Sequence, residues 1–168
     1  MNVLALPTRR DIYGVISGSP GLHFREILRE TELGVGSLRY HLAVLEKNGI
    51  VVSREDGQYL RFFPAGLSEE EKELLGMLRQ RSIRKILGYL LMNPAASHRE
   101  VVRNVGLAPS TVSWYLKKLE RLGLLKLDKS GKNTAYTVLK KDRLASVLAE
   151  FKESFLDEWV NNFIEIWG

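Results

Sequence analysis

The sequence predicts a mainly α-helical chain with small β-hairpins, arranged as two tandem copies of one unit and closed by a C-terminal helix. Three observations predict it. Sliding the chain against itself by 74 residues aligns 8–64 with 82–138 without a gap, and 13 of those 57 pairs are identical, from Arg10/Arg84 to Gly57/Gly131. Within a copy, apolar residues recur at helical spacing and then, near its end, at the alternating spacing of strands. After the second copy, Leu144, Val147, Leu148, Phe151, Phe155, Trp159, Phe163, Ile166 and Trp167 line one broad helical face.

The second copy shows the elements in order. Ile83, Ile86, Leu87, Leu90 and Leu91 predict a first helix that stops at Asn93-Pro94, because proline disfavours helical backbone at the residue before it. Ser97 followed by Glu100 has the spacing of a capping box, and Val101, Val102 and Val105 give a short second helix that Gly106 ends. A tight connection through Leu107, Ala108 and Pro109 opens a third helix at Ser110 or Thr111, with Val112, Leu116 and Leu119 inward and Gly123 as its stop. Two helices joined by so short a turn form a helix-turn-helix. LLKLD, a turn at Lys129 to Asn133, and TAYTV then predict a hairpin with a basic tip. The first copy repeats this as IVVSR, a turn at Glu55-Asp56-Gly57, and QYLRFF. Three helices followed by such a hairpin make a winged helix-turn-helix.

Composition narrows the function. The chain has no cysteine, which excludes disulfides, thiolate nucleophiles and thiolate metal sites. His23, His41 and His98 form no cluster with metal-ligand spacing, and no Walker loop, GxGxxG, HExxH or GxSxG occurs, so neither metal, cofactor nor enzymatic chemistry is expected. The longest apolar run, 86–92, falls far short of the roughly 20 residues of a membrane span. With no signal-peptide pattern at the N-terminus, the expected location is cytoplasmic and nucleoid-associated. The net charge of +5 is unevenly spread. Residues 79–139 carry 12 basic and 3 acidic residues, whereas 1–66 carry 8 and 7, and 67–78 four glutamates and one lysine. A basic excess concentrated on one copy favours a polyanionic partner.

Both copies resemble the winged-helix domains of ArsR- and MarR-type transcription regulators. The residues that carry the resemblance are SLRYHLAVLEKNGIV at 37–51 and TVSWYLKKLERLGLL at 111–125, each a hydroxyl residue, an aliphatic, polar or aromatic positions, Leu-x-x-Leu, then Gly and two aliphatics. The tandem arrangement is similar to that of small archaeal regulators with two such domains. The resemblance implies binding to double-stranded DNA through the third helix, with the hairpin as the wing. The metal-sensing branch of the ArsR family uses thiolates or clustered histidines, which this chain lacks.

Residue roles follow from position on that frame. In the second copy Ser110, Thr111, Ser113, Trp114 and Lys117 are expected to face out, with Lys118 on the flank. Hydroxyls near the helix start suit phosphate, while Ser113, Trp114 and Lys117 suit base edges, thymine methyls and guanine or phosphate. Lys129, Lys132 and Asn133 on the wing tip suit the flanking backbone or the minor groove. In the first copy the corresponding set is Ser37, Arg39, Tyr40 and His41, with Arg54 and Arg61 on the hairpin. Arg39 is the best candidate there for a bidentate guanine contact, and His41 suits phosphate or packing beside the core. Glu55 and Asp56 on the first wing repel phosphate, which makes this copy a weaker DNA module or a surface for protein contact.

The expected division is 1–66, a helical linker at 67–80, 81–139, and the tail 140–168. Ser68 and Glu71 form another capping box, and no proline interrupts 69–92, so this stretch is one helix of roughly 36 Å at 1.5 Å per residue, or two helices kinked near Gly76 to Gln80. The tail is read as a dimer seam along Phe151, Phe155, Trp159, Phe163 and Trp167, or as a lid folded on its own chain. The expected partners are double-stranded DNA, a second copy of the chain and transcription machinery. A tandem winged-helix scaffold for protein interaction is the competing function, disfavoured by the basic excess.

Overall fold

The computed structural model describes residues 2–155, 160 and 164. The chain divides into two compact units, Met1–Arg79 and Gln80–Gly168. In the first, a 3-10 turn at Val3–Ala5 precedes α1 (Pro7–Gly18), β1 (Leu22–His23), α2 (Phe24–Thr31), α3 (Val35–Lys47), β2 (Val51–Asp56), β3 (Tyr59–Pro64) and α4 (Glu69–Leu78). The second holds α5 (Arg81–Met92), β4 (Ala96–Ser97), α6 (His98–Val105), α7 (Pro109–Arg121), β5 (Leu125–Asp128), β6 (Ala135–Val138) and α8 (Lys141–Glu150). Shifting α1, α2 and α3 by the 74 residues of the repeat lands on the bounds of α5, α6 and α7. The sheets repeat as well, in the orders β1-β3-β2 and β4-β6-β5. Val51 opposite Pro64 and Leu22 opposite Phe62 recur as Leu125 opposite Val138 and Ala96 opposite Tyr136.

Local chemistry accounts for the helix ends. The Ser97 side chain accepts from the Glu100 amide, while the Glu100 carboxylate accepts from the Ser97 amide at 2.7 Å. These bonds hold the Glu100 carboxyl below its ordinary pKa, the backbone bond from Ser97 being the largest cause. In the first unit His23 takes the serine's place, its Nδ1 accepting from the Glu26 amide as the Glu26 carboxylate accepts from the His23 amide. Gly106 terminates α6 at φ +68°. At the equivalent end of α2, Glu32 adopts left-handed backbone, φ +53°, without glycine's freedom to do so. Leu38, Leu42 and Leu45 on α3, and Val112, Leu116 and Leu119 on α7, point inward and are buried. The first core joins the three α3 leucines to Ile12, Ile16 and Ile27 of the preceding helices and to Val51 and Phe62 of the sheet.

The short strands β1 and β4 were not expected from the sequence, since two residues leave no readable alternation. Each adds a third strand beside the hairpin and ties the start of the following helix to the wing. The first hairpin also turns one step later than expected, with Asp56 opposite Tyr59 and the bend at Gly57-Gln58, where Gly57 has φ +61°.

In the connections one open choice is decided and one expectation is corrected. The stretch 69–92 is two helices, because Gln80 is extended (φ −82°, ψ 117°) between α4 and α5. Packing rather than a breaker residue accompanies the break. A methyl group at Gly76 would lie 3.3 Å from Arg61 Cδ and 3.8 Å from the Phe63 ring, so α4 sits close upon β3 and is part of the first unit. The tail, in turn, is not one helix over 142–167. Helix α8 ends at Glu150 with Phe151 as its cap, and a 3-10 turn at Lys152–Ser154 follows, with Ser154 Oγ donating to the Phe151 carbonyl at 2.7 Å.

That interruption changes the role of the tail's aromatics. Phe155 is 3% exposed within one chain, the Arg84 guanidinium of α5 lies 5.7 Å from its ring centre, and Leu144, Ala145 and Leu148 of α8 are wholly buried. Phe155 therefore does not offer its face to a second chain, and Phe151 is already half-buried. Trp159, Phe163 and Trp167 lie outside the described residues.

Candidate nucleic-acid interface

In the second unit, Pro109 at the first position of α7 supplies a backbone angle suited to helix entry at no cost in hydrogen bonding. With Val112, Leu116 and Leu119 inward, the opposite face presents Ser110, Trp114 and Lys117, all exposed, beside half-buried Thr111, Ser113 and Lys118. Trp114 is 55% exposed, meets Tyr115 edge to face at 4.9 Å, and carries the Lys118 ammonium 5.1 Å from its ring centre. It stands out as a platform rather than covering its own hairpin. The wing tip between β5 and β6 exposes Lys129, Lys132 and Asn133, and the Ser130 amide donates to the Asp128 carboxylate at 3.1 Å, shaping the turn. The unit carries 15 basic against 9 acidic residues.

The first unit has the same frame with different chemistry. Ser37, Arg39 and Tyr40 are exposed on α3, Tyr40 at 60%. His41 is half-buried and its Nδ1 is shielded from solvent without a hydrogen-bond partner, a position beside the core rather than on the outer face. A cleft of about 430 Å³ runs along the start of α2 and the wing, lined by His23, Phe24, Arg25, Gln58, Tyr59 and Leu60. The His23 and Tyr59 rings stack there at 4.9 Å. With α4 included, this unit holds 10 basic and 11 acidic residues, so the basic excess lies wholly in the second unit.

Two hairpin arginines expected at the interface are turned to structural use. Arg61 is 5% exposed, its Nε donating to Asp56 at 2.8 Å and its Nη1 to the Gly21 carbonyl at 2.9 Å. Alternation along β3 puts it on the face opposite the core residue Phe62, where α4 covers it through Gly76. Arg54 faces α4, with Nη1 donating to the Glu69 carbonyl at 3.1 Å and Nη2 3.8 Å from the Glu73 carboxylate. Glu69 is itself held below its ordinary pKa, chiefly by a hydrogen bond from Lys72.

Sequence reasoning passed over two residues behind the outward face. His98, the first residue of α6, has Nε2 2.8 Å from Ser113 Oγ. Phe24, the first residue of α2, lies beneath the Arg39 guanidinium, 5.9 Å from its ring centre. The repeat register held the signal, since 74 residues separate Phe24 from His98 and Arg39 from Ser113.

Comparison with known proteins agrees with this architecture. A family described as an N-terminal HTH domain matches residues 7–75, and one described as winged helix-turn-helix DNA-binding matches residues 79–126. Over 136 residues, 81% of this chain, the sequence is 35% identical to the uncharacterized HTH-type transcriptional regulator MJ1398 of Methanocaldococcus jannaschii. The aligned region covers 34% of that protein, so the chain spans about a third of its relative's length. Both matched families are helix-turn-helix domains, the second of them described as DNA-binding. With its duplicated helices, its two three-stranded sheets and a match in each unit, this chain has the fold of two tandem winged helix-turn-helix domains.

Proposed function

We propose that this chain is a sequence-specific, double-stranded DNA-binding transcription regulator whose second unit makes most of the phosphate contacts. The observation that carries the proposal is the outer face of the second unit. Ser110, Trp114 and Lys117 stand exposed on α7, and Lys129, Lys132 and Asn133 on the wing tip, in the unit that holds the whole basic excess. A helix of this diameter fits the major groove, and a basic wing meets the flanking backbone. The relative's description as a transcriptional regulator supports the same reading.

Salt dependence tests it. Log affinity for duplex DNA should fall linearly with log salt, and the triple substitution Lys117→Ala, Lys129→Ala, Lys132→Ala should flatten that slope by about 2.7, at about 0.9 per phosphate contact. An unchanged slope sinks the assignment. Selection from a random duplex library then tests sequence specificity, which is lost if no preferred sequence emerges.

A specific observation favours a different role for the first unit. Its hairpin arginines are engaged internally and its wing exposes Glu55, so protein contact suits this wing better than phosphate, while α3 keeps Arg39 exposed. A homodimer seam along the tail is supported by none of the described residues, because α8 and Phe155 are covered within their own chain.

A further inference from the structure

We propose that the first residue of the helix preceding each outward-facing helix, Phe24 in one unit and His98 in the other, selects which bases the residue above it reads. The proposal rests on the DNA-binding reading and adds to it a pair of positioning residues that do not themselves touch DNA.

The two units make the same contact in different chemistry. Arg39 and Ser113 are each the fifth residue of their helix, α3 and α7, and Phe24 and His98 are each the first of theirs, α2 and α6. In both units the supporting side chain lies fifteen residues before the one it supports. Strands β1 and β4 end immediately before Phe24 and His98, so the hairpin sheet holds the backbone of both supports in place. A contact that recurs at one place in two copies with only 13 identical pairs in 57 belongs to the frame, while its chemistry is free to vary.

The chemistry decides what is read. A serine hydroxyl holds one donor hydrogen and two acceptor lone pairs, and left alone it rotates to suit either partner. At 2.8 Å from His98 Nε2, the Ser113 hydroxyl is no longer free. When Nε2 is unprotonated it takes the serine's hydrogen, and Oγ meets DNA only as an acceptor, favouring the amino groups of cytosine and adenine. When Nε2 carries the proton, His98 donates and the serine keeps its own hydrogen for guanine, thymine or phosphate. The imidazole thus sets the sign of the serine's hydrogen bond. Phe24 acts on Arg39 differently. The ring face attracts the guanidinium and restricts a long side chain before DNA arrives, which favours the fixed two-pronged geometry that guanine's O6 and N7 require.

The test uses the full chain and a random duplex library. His98→Ala should change the preferred base at one position, with discrimination there altered about tenfold, while affinity for random duplex stays within about twofold, since no phosphate contact is removed. His98→Gln, which keeps a donor and an acceptor, should restore part of the preference. Phe24→Leu should relax a second position and Phe24→Tyr should leave it intact. An unchanged base profile, or equal losses on selected and random DNA, overturns the proposal.

Nitrogen-15 spectra of the DNA-free protein separate this from failure of the parent reading. Ser113→Ala should shift the His98 Nε2 resonance and no other imidazole. If the full chain selects no sequence, specificity itself fails and so does the proposal; an unmoved Nε2 resonance overturns the His98 pairing alone, whatever the DNA results.

Discussion

Arg61 shows how far one residue can depart from its apparent role. A basic side chain on a hairpin suits phosphate, yet here it is nearly wholly buried between Asp56 and the Gly21 carbonyl, with Gly76 of α4 packed against it. Truncation removes both charge-assisted hydrogen bonds and leaves the Gly21 carbonyl without this donor, so Arg61→Ala should cost about 2 kcal/mol in urea denaturation. The same variant should leave the salt slope of any remaining folded protein unchanged, which separates it from the wing lysines. For the exposed candidates the expectation is reversed. Arg39→Ala and Trp114→Ala should barely alter stability but relax preference at particular base pairs, each by about 1 to 3 kcal/mol, as read by library selection. Equal weakening on every sequence would reassign both to the backbone.

At the scale of elements, α6 and α8 make opposite demands. Helix α6 is eight residues long and depends on its cap, so Ser97→Ala should destabilise the second unit by about 1 kcal/mol. Glu100 gives the cap a pH dependence. Its folded pKa lies below the ordinary carboxylate value, so the stabilisation is fully present above that value and fades as pH falls through the folded one. Acid denaturation of Ser97→Ala should accordingly show a smaller deficit relative to the parent at low pH than at neutral pH. Helix α8 depends on burial instead. Because Leu144, Ala145 and Leu148 are wholly covered, truncation after Lys141 should give a protein with a lowered or lost cooperative transition for the second unit, seen by circular dichroism on heating. A truncated chain that melts like the parent would restore the dimer-seam reading.

Across the whole molecule, the two units share a frame and divide the charge. Ten basic against 11 acidic residues in the first and 15 against 9 in the second put the attractive field for a polyanion in the second. A single exposed position tests whether the first wing meets DNA. Glu55 lies on the first wing and occupies the repeat position of Lys129, so Glu55→Lys should steepen the salt slope by about 0.9 if that wing lies on the duplex. No change would leave the first wing off the DNA and strengthen its reading as a protein-contact surface.

The repeat, the helix order, the caps at Ser68 and Ser97 and the inward leucines of α3 and α7 were all legible in the sequence. Each is written in local terms: a hydroxyl residue three before a glutamate, an apolar residue every third or fourth place, a glycine where backbone turns left-handed. The outward face of α7 followed from the inward one, and Trp114 and Lys117 stand exposed where the spacing put them. What the sequence left open was decided by contacts between distant residues. Two-residue strands have no period to read, yet β1 and β4 complete the sheets, and Arg61 is buried because α4 packs on it at Gly76. No breaker separates α4 from α5, and the division falls at Gln80, whose backbone is extended. The apolar face of α8 looks the same whether it meets a second chain or its own, and only the fold showed Phe155 covered by Arg84. Periodicity records which face is apolar; what covers that face is set by residues far away in the chain, and spacing carries no information about them.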